Sequence, residues 1–124
     1  MSDRSLVIAA ALSLMIGVGA GAFGAHGLKR VLTVDMVQIW QTAVLYQLVH
    51  GLGMLAVAAL MARFGSPLLA WAGLLMLVGI LFFGGSLYVL ALSGTKWLGA
   101  VTPIGGTLFI IAWLLVALAA WRHS

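Results

Sequence analysis

A chain of 124 residues that is 65% hydrophobic and only 6% charged carries too few charges to cover the surface of a water-soluble globule. Six Lys or Arg residues outweigh two acids and give a formal net charge of +4, but they are scattered singly or in pairs, which excludes the basic stripe of a nucleic-acid-binding domain. With no cysteine in the chain, disulfides and thiol chemistry are excluded as well.

The distribution of apolar residues predicts one all-α domain over residues 1–124, a polytopic membrane protein built as a bundle of four transmembrane helices. The first predicted span covers about residues 6–23, a run of eighteen residues without a charge. Arg4 and the Ala20-Gly-Ala22 triplet would also suit a cleaved signal peptide, but such peptides have a shorter apolar core of roughly 7–15 residues. A retained span is therefore the favoured interpretation.

Small residues recur at helical spacing near the end of this first span. Gly17, Gly21 and Ala25 are four residues apart and Gly24 lies beside them, so one face of the helix carries almost no side chain. Inside a bilayer, a bare face of this kind lets another helix approach closely, and that contact favours association. We expect Gly17, Gly21 and Gly24 to pack against a neighbouring helix.

A short polar motif, His26, Lys29 and Arg30, follows where the chain must return to water. The connection over residues 27–38 has apolar side chains on one side and charges elsewhere, which predicts a short segment lying at the membrane interface. Lys29 and Arg30 are either snorkelling anchors or partners of an anionic lipid head group. His26 is either an interfacial histidine satisfied by loop carbonyls or a second ligand beside His50.

The other three spans are predicted over about residues 39–62, 68–92 and 103–121. Thr33 and Asp35 are candidate caps before the second span, and Gly65 is its candidate terminator. Ser66-Pro67 and Thr102-Pro103 each combine a capping residue with a first-turn proline, which predicts the starts of the third and fourth spans. Three Lys or Arg residues fall on each side of the membrane, so their distribution predicts no orientation.

Polar side chains concentrate in the second span. At 100° per residue, Tyr46, Gln47 and His50 lie within one arc of about 120°. Because hydrocarbon offers no hydrogen-bond partner, this arc should face the interior and His50 should be buried. Tyr88 is the candidate partner of His50, since it shares a face of the third span with two glycines, Gly73 and Gly84, that should allow close packing.

Two interpretations of this polar network remain open. Imidazole titrates near neutral pH and binds metals, so His50 could carry a proton or ligate a metal or haem. Alternatively, Tyr46, Gln47 and His50 form hydrogen bonds between helices. The second interpretation is favoured, and no metal or cofactor is predicted, because a single intramembrane histidine without acids or cysteines makes a poor metal site.

No catalytic residues are predicted. The sequence contains no HExxH, GxSxG or phosphate-binding loop, and no pair of carboxylates. Asp35 is the only acid beyond the N-terminus, so the buried carboxylate that is usual in proton-coupled transporters is missing too.

Four segments form a combined pattern: Gly24-Ala-His-Gly-Leu-Lys29, Thr42-Ala-Val-Leu-Tyr-Gln-Leu-Val-His50, Gly84-Gly-Ser-Leu-Tyr88, and Thr102-Pro-Ile-Gly-Gly106 followed by Trp113. This pattern resembles the YgdD/YwdK-like family of small bacterial inner-membrane proteins of unknown function. The resemblance covers nearly the whole chain in the same order. It implies four membrane helices in the bacterial inner membrane and no assigned activity. The family's motif positions fall here on His26, Lys29, Tyr46, Gln47, His50, Gly84, Tyr88, Pro103 and Gly106.

We therefore expect a non-enzymatic, multi-pass protein of the bacterial inner membrane. Its partners would be the lipid bilayer and either further copies of itself or another membrane protein, and not nucleic acid. It would act through helix packing, as a homo-oligomer or as a small accessory subunit of a membrane complex. The alternative is a small oligomeric carrier or channel with a path lined by Tyr46, Gln47 and His50. A haem or metal redox site at His50 is a third hypothesis.

Overall fold

Five α-helices make up the computed structural model, which describes residues 1–123 and contains no strand within them. They are α1 (Asp3–His26), α2 (Val34–Phe64), α3 (Pro67–Gly79), α4 (Gly85–Ser93) and α5 (Thr102–Arg122). A π-helical segment, Ile80–Gly84, joins α3 and α4 into one continuous span, and short 3-10 turns precede α2 and α5. Four helical spans are long and apolar enough to cross a membrane, so the predicted all-α architecture with four spans is confirmed.

The ends of the second span are set by side chains adjacent to it. Thr33 Oγ1 accepts a hydrogen bond from the Met36 amide at 3.3 Å and so caps the start of α2. Gly65 ends the helix in the left-handed conformation at φ 60°, which glycine adopts without a steric penalty. The next helix begins at once, because Ser66 Oγ accepts from the Leu68 amide at 3.2 Å. The predictions for Thr33, Gly65 and Ser66 are confirmed, whereas Asp35, the other candidate cap, lies within the first turn of α2.

The predicted cap at Thr102 is wrong. Val101 occupies the position before α5, and Thr102 is already the first helical residue. Its hydroxyl lies 2.7 Å from Ser86 Oγ of α4 and therefore forms a bond between two spans. The Thr102 side chain therefore bonds to another span instead of capping the start of its own helix.

The connection between α1 and α2 is shorter than predicted. The predicted interfacial segment reaches Gln38, but α2 already begins at Val34. What remains contains the 3-10 turn Leu28–Arg30, whose leucine is buried in a cluster with Trp40. This turn is thus anchored to the bundle by its apolar side chain, while its two cations are exposed.

The central helix of the bundle is α2. It packs along α1 on one side and against α3, α4 and the π-helical segment on another, whereas α5 packs mainly against α3 and the π-helical segment. Because α2 and α5 touch at few positions, a cleft separates them. The largest fully buried side chains of the core are Leu6, Met54, Val57, Leu69 and Met76.

Glycines allow several of these helices to approach closely. A Cβ added to Gly17, Gly21 or Gly24 would lie 2.8, 3.2 or 2.7 Å from a side chain of α2. One added to Gly73 would lie 2.5 Å from Leu6 of α1. These four positions face neighbouring helices, whereas Ala25, the other member of the predicted bare face, is exposed.

Gly84 does not have the packing role predicted for it. A Cβ added to Gly84 would have one neighbour within 4 Å, the ring of Tyr88, which belongs to the same span. The wider turn of the π-helical segment shifts the residues that follow it around the helix axis, which displaces Gly84 from the face of Gly73. Gly79 makes the close contact instead, since its Cβ would lie 2.5 Å from the Phe109 ring of α5.

The tightest approach joins α5 to the π-helical segment. A Cβ on Gly105 would overlap the main-chain nitrogen of Phe83, which cannot rotate away as a side chain can. Gly105→Ala is expected to lower the free energy of unfolding by about 1–3 kcal/mol, as overpacking usually does. The measurement is the thermal unfolding midpoint in mild detergent.

The matched control is Gly19→Ala, because nothing lies within 4 Å of a Cβ at that position. This control should hold or raise the midpoint, since alanine favours a helix over glycine by up to about 1 kcal/mol. Equal midpoints for the two variants would contradict the close packing of α5 on the π-helical segment.

Candidate functional site

Two side chains of α2 reach main-chain carbonyl groups of α1. Gln47 Nε2 donates to the Ser13 carbonyl at 2.8 Å, and Trp40 Nε1 donates to the Ala20 carbonyl at 2.8 Å. The two donors are seven residues apart, as are the two acceptors, so each pair is separated by about two helical turns. Antiparallel packing of α1 on α2 therefore satisfies both bonds at once.

Gly17 and Gly24 explain how these carbonyls become accessible. Each glycine lies four residues after an accepting residue, on the same face of α1 and directly above its carbonyl. A Cβ on Gly17 would lie 2.8 Å from Leu48 Cδ2 and 3.4 Å from Gln47 Cγ, and one on Gly24 would lie 2.7 Å from Trp40 Nε1. The missing side chain of Gly24 thus leaves room for the Trp40 donor, and that of Gly17 lets α2 approach α1 beside Gln47.

The Gln47 side chain also connects α2 to α4. Its Oε1 accepts a hydrogen bond from the Tyr88 hydroxyl at 2.7 Å. With only 5% of its surface exposed, this amide joins three helices: α1, α2 and α4. The ring of Tyr88 packs edge-on against Trp40 with 4.6 Å between ring centroids, so both α2 donors belong to one cluster.

The predicted bond between Tyr88 and His50 is wrong. The π-helical segment precedes α4 and sets its rotation, so that Tyr88 projects between Gln47 and Trp40. His50 takes its partner from α5 instead: Trp113 Nε1 donates to His50 Nε2 at 3.0 Å.

Both ring nitrogens of His50 are engaged. Nδ1 lies 2.9 Å from the Tyr46 carbonyl oxygen, and the indole N–H of Trp113 can only donate. Nε2 must therefore be the acceptor, and Nδ1 carries the hydrogen that is donated to Tyr46. The ring stacks on Phe109 at 3.6 Å between centroids and is held as one neutral tautomer. The predicted burial of His50 is confirmed, since its exposed fraction is 5%.

In this geometry both ring nitrogens of His50 are hydrogen-bonded, so neither is free to ligate a metal ion or a haem iron or to accept a transferred proton. A proton added at Nε2 would place a second donor against the indole N–H of Trp113. His26 ends α1 and is exposed, so it does not join the buried network. Within residues 1–123, no three His, Asp or Glu side chains gather closely enough to hold a metal ion.

A cleft of about 500 Å³ lies between α2, the π-helical segment and α5, within the range of roughly 300–1,000 Å³ that is typical of ligand sites. Aromatic rings dominate its walls, and His50 lines it together with Pro103, Gly106, Thr107 and Ile110. Tyr46 contributes its ring to the cleft, 4.5 Å from that of Phe83, and is 40% exposed. Its contribution to the hydrogen-bond network is therefore the main-chain carbonyl and not the hydroxyl.

The predicted polar network is thus divided into two. Gln47 donates to the Ser13 carbonyl of α1 and accepts from Tyr88 of α4, while His50 accepts from Trp113 of α5. Sequence reasoning gave no role to Trp40 or to the Ser13 carbonyl. The seven-residue spacing of Gly17 and Gly24, which matches that of Trp40 and Gln47, is the signal that could have found them.

The chain matches a described family along most of its length. Residues 20–106 match the family of proteins of unknown function DUF423. The chain belongs to this family.

Relatives in the DUF423 family extend the match to almost the whole chain. The UPF0382 membrane protein YwdK of Bacillus subtilis is 42% identical over 121 residues, which cover 97% of this chain and 98% of YwdK. The UPF0382 membrane protein SERP0230 of Staphylococcus epidermidis is 50% identical over 121 residues, covering 98% of each chain. No solved structure matches. The resemblance to the YwdK-like family is confirmed, and with it the assignment as a membrane protein.

Loss of the His50 side chain should destabilise the bundle. His50→Leu leaves the indole N–H of Trp113 without its acceptor where hydrocarbon offers no other partner, and an unsatisfied donor of this kind costs about 1–3 kcal/mol. His26→Leu makes the same chemical change at an exposed position and serves as the control. We expect His50→Leu to lower the thermal midpoint in detergent more than His26→Leu does. Equal midpoints would show that the bond between α2 and α5 contributes nothing.

Proposed function

We propose that the protein is a non-enzymatic, multi-pass protein of the bacterial inner membrane. It acts through packing of its helices against other membrane helices, as a homo-oligomer or as a small accessory subunit of a membrane complex. The observation that carries the proposal is that the buried polar side chains form their hydrogen bonds within the protein itself. Every buried side-chain nitrogen or oxygen within residues 1–123 has a hydrogen-bond partner in the protein.

The two buried side chains of α2 that could perform chemistry, Gln47 and His50, are both engaged in bonds between helices. The Gln47 amide is shared between Ser13 and Tyr88, and His50 is held by Trp113 and a carbonyl of its own helix. Such bonds typically stabilise helix association in a bilayer by about 0.6–2 kcal/mol each. These side chains therefore support a structural role, and a function must be sought at the outer surface.

The outer surface offers contacts of the kind that membrane helices use. Large apolar side chains are exposed on α1 and α5, where a bilayer or another helix would cover them. A Cβ added to Gly19 of α1 or to Gly85 of α4 would meet no heavy atom of another residue within 4 Å. Positions without side chains at the surface favour close approach of a further helix.

The carrier or channel hypothesis gains no support from this arrangement. It requires Tyr46, Gln47 and His50 to line one path, but Gln47 is turned towards α1 and α4 while His50 is turned towards α5. The redox hypothesis requires a free ring nitrogen on His50, and both nitrogens are bonded.

Because the chain has no cysteine, single cysteines can map its contacts without background. We would place one at an exposed position of α1, the π-helical segment or α5, with Met15→Cys, Leu81→Cys and Ile110→Cys. Crosslinking in native membranes, followed by mass spectrometry, should give a dimer or a complex with another membrane protein from at least one of them. Ala72→Cys, which is buried, is the matched control and should give none. Monomer alone from all three exposed positions would contradict the proposal.

A further inference from the structure

The outward face of α2 changes from polar to apolar along the helix. Gln38, Gln41 and Thr42 are exposed, and from Leu45 the exposed residues before Arg63 are apolar apart from the hydroxyl of Tyr46. A lipid-facing surface must make this change where head groups give way to hydrocarbon. From Leu45, the helix continues for about 26 Å before Arg63, close to the roughly 30 Å of a hydrocarbon core. The polar stretch therefore lies at the level of the head groups.

A pocket of about 370 Å³ lies at this level, between the connection after α1 and the first turns of α2. Its lining combines one cation and two amide side chains with apolar ones: Lys29, Leu32, Val34, Val37, Gln38 and Gln41. An ammonium group and amide N–H groups are hydrogen-bond donors that suit the oxygens of a phosphate.

Positive charge exceeds negative charge beside this pocket. Lys29 and Arg30 lie in the turn before α2, and Asp35 is the acid nearest to them in the sequence. The opposite end has three arginines and Asp3, so the pocket at Lys29, and not the net charge, distinguishes this end. Anionic lipids attract cations near the membrane surface, so an anionic group complements this pocket.

A second cavity, an apolar groove, lies further along α2 towards the hydrocarbon. Its volume is about 280 Å³, and it is lined by Leu45, Tyr46 and Val49. Gln41, Leu45 and Val49 are four residues apart and share one face of α2, so the polar pocket and the apolar groove lie in line. Together they extend for about 12 Å along the helix between Gln41 and Val49.

We propose that this surface of α2 binds one anionic phospholipid. The phosphate lies against Lys29, Gln38 and Gln41, and one acyl chain follows the groove past Leu45 and Val49. The in-line arrangement favours a lipid over a water-soluble phosphate, which would leave the apolar groove empty. This site goes beyond the proposed helix packing, and neither depends on the other.

Native mass spectrometry of the detergent-purified full chain would test the head-group pocket. The probes are phosphatidylglycerol and phosphatidylcholine with identical acyl chains. The protein should retain phosphatidylglycerol preferentially, and Lys29→Gln should weaken this retention about fivefold, the effect of one cation near an anionic lipid. Lys29→Arg should keep it. Lys96→Gln, which removes the same charge outside the pocket, should leave retention unchanged.

Leu45→Trp tests the groove, because it fills the path of the acyl chain and leaves the cations in place. It should also weaken retention of phosphatidylglycerol. Both Lys29 and Leu45 are exposed, and an unchanged thermal midpoint should show that the variants remain folded. Equal retention of the two lipids, or equal losses in Lys29→Gln and Lys96→Gln, would overturn the proposal. So would full retention by Leu45→Trp, or displacement of the lipid by equimolar glycerol phosphate.

Discussion

The amide of Gln47 fixes how three helices of this protein meet. Hydrocarbon supplies no hydrogen-bond partner, so a side chain that carries donors and an acceptor must find both inside the protein. Gln47 donates to the Ser13 carbonyl of α1 and accepts from Tyr88 of α4. The first bond lies beside Gly17, where α1 and α2 pack closely, and the second joins α4 to the same amide in the rotation that the π-helical segment gives it. The glycines of α1 and the polar residues of α2 are therefore parts of one interaction.

The same constraint explains why the other buried polar residues form bonds between helices. His50 joins α2 to α5 through Trp113, and Ser86 joins α4 to α5 through Thr102. These hydrogen bonds stabilise the bundle and support the structural role proposed for the side chains that make them. On that proposal, recognition takes place at the surfaces that lipid or neighbouring helices touch and at the pocket beside Lys29.

Much of the fold follows from local sequence, because apolar runs define spans and Ser66-Pro67 or Gly65 define helix ends. The inward face of α2 could also be predicted, since polar side chains avoid lipid. The π-helical segment could not, because nothing in Ile80-Leu-Phe-Phe-Gly84 distinguishes it from an ordinary apolar helix, and its close contact is with Gly105, far along the chain. The errors at Gly84 and Tyr88 both derive from this one missed turn. The partner of His50 was missed because Trp113 lies on another span.

A double-mutant cycle on Gln47 and Tyr88 tests most directly whether these side chains hold the helices together. Gln47→Leu, Tyr88→Phe and the double variant would be unfolded reversibly in mixed detergent micelles, and the free energies of unfolding compared. A hydrogen bond between two membrane helices predicts a favourable coupling of about 0.6–1.7 kcal/mol, so the double variant should lose less than the two single losses combined. Strictly additive losses would show that the bond from α4 to α2 does not contribute to stability, and would contradict the structural role of the network.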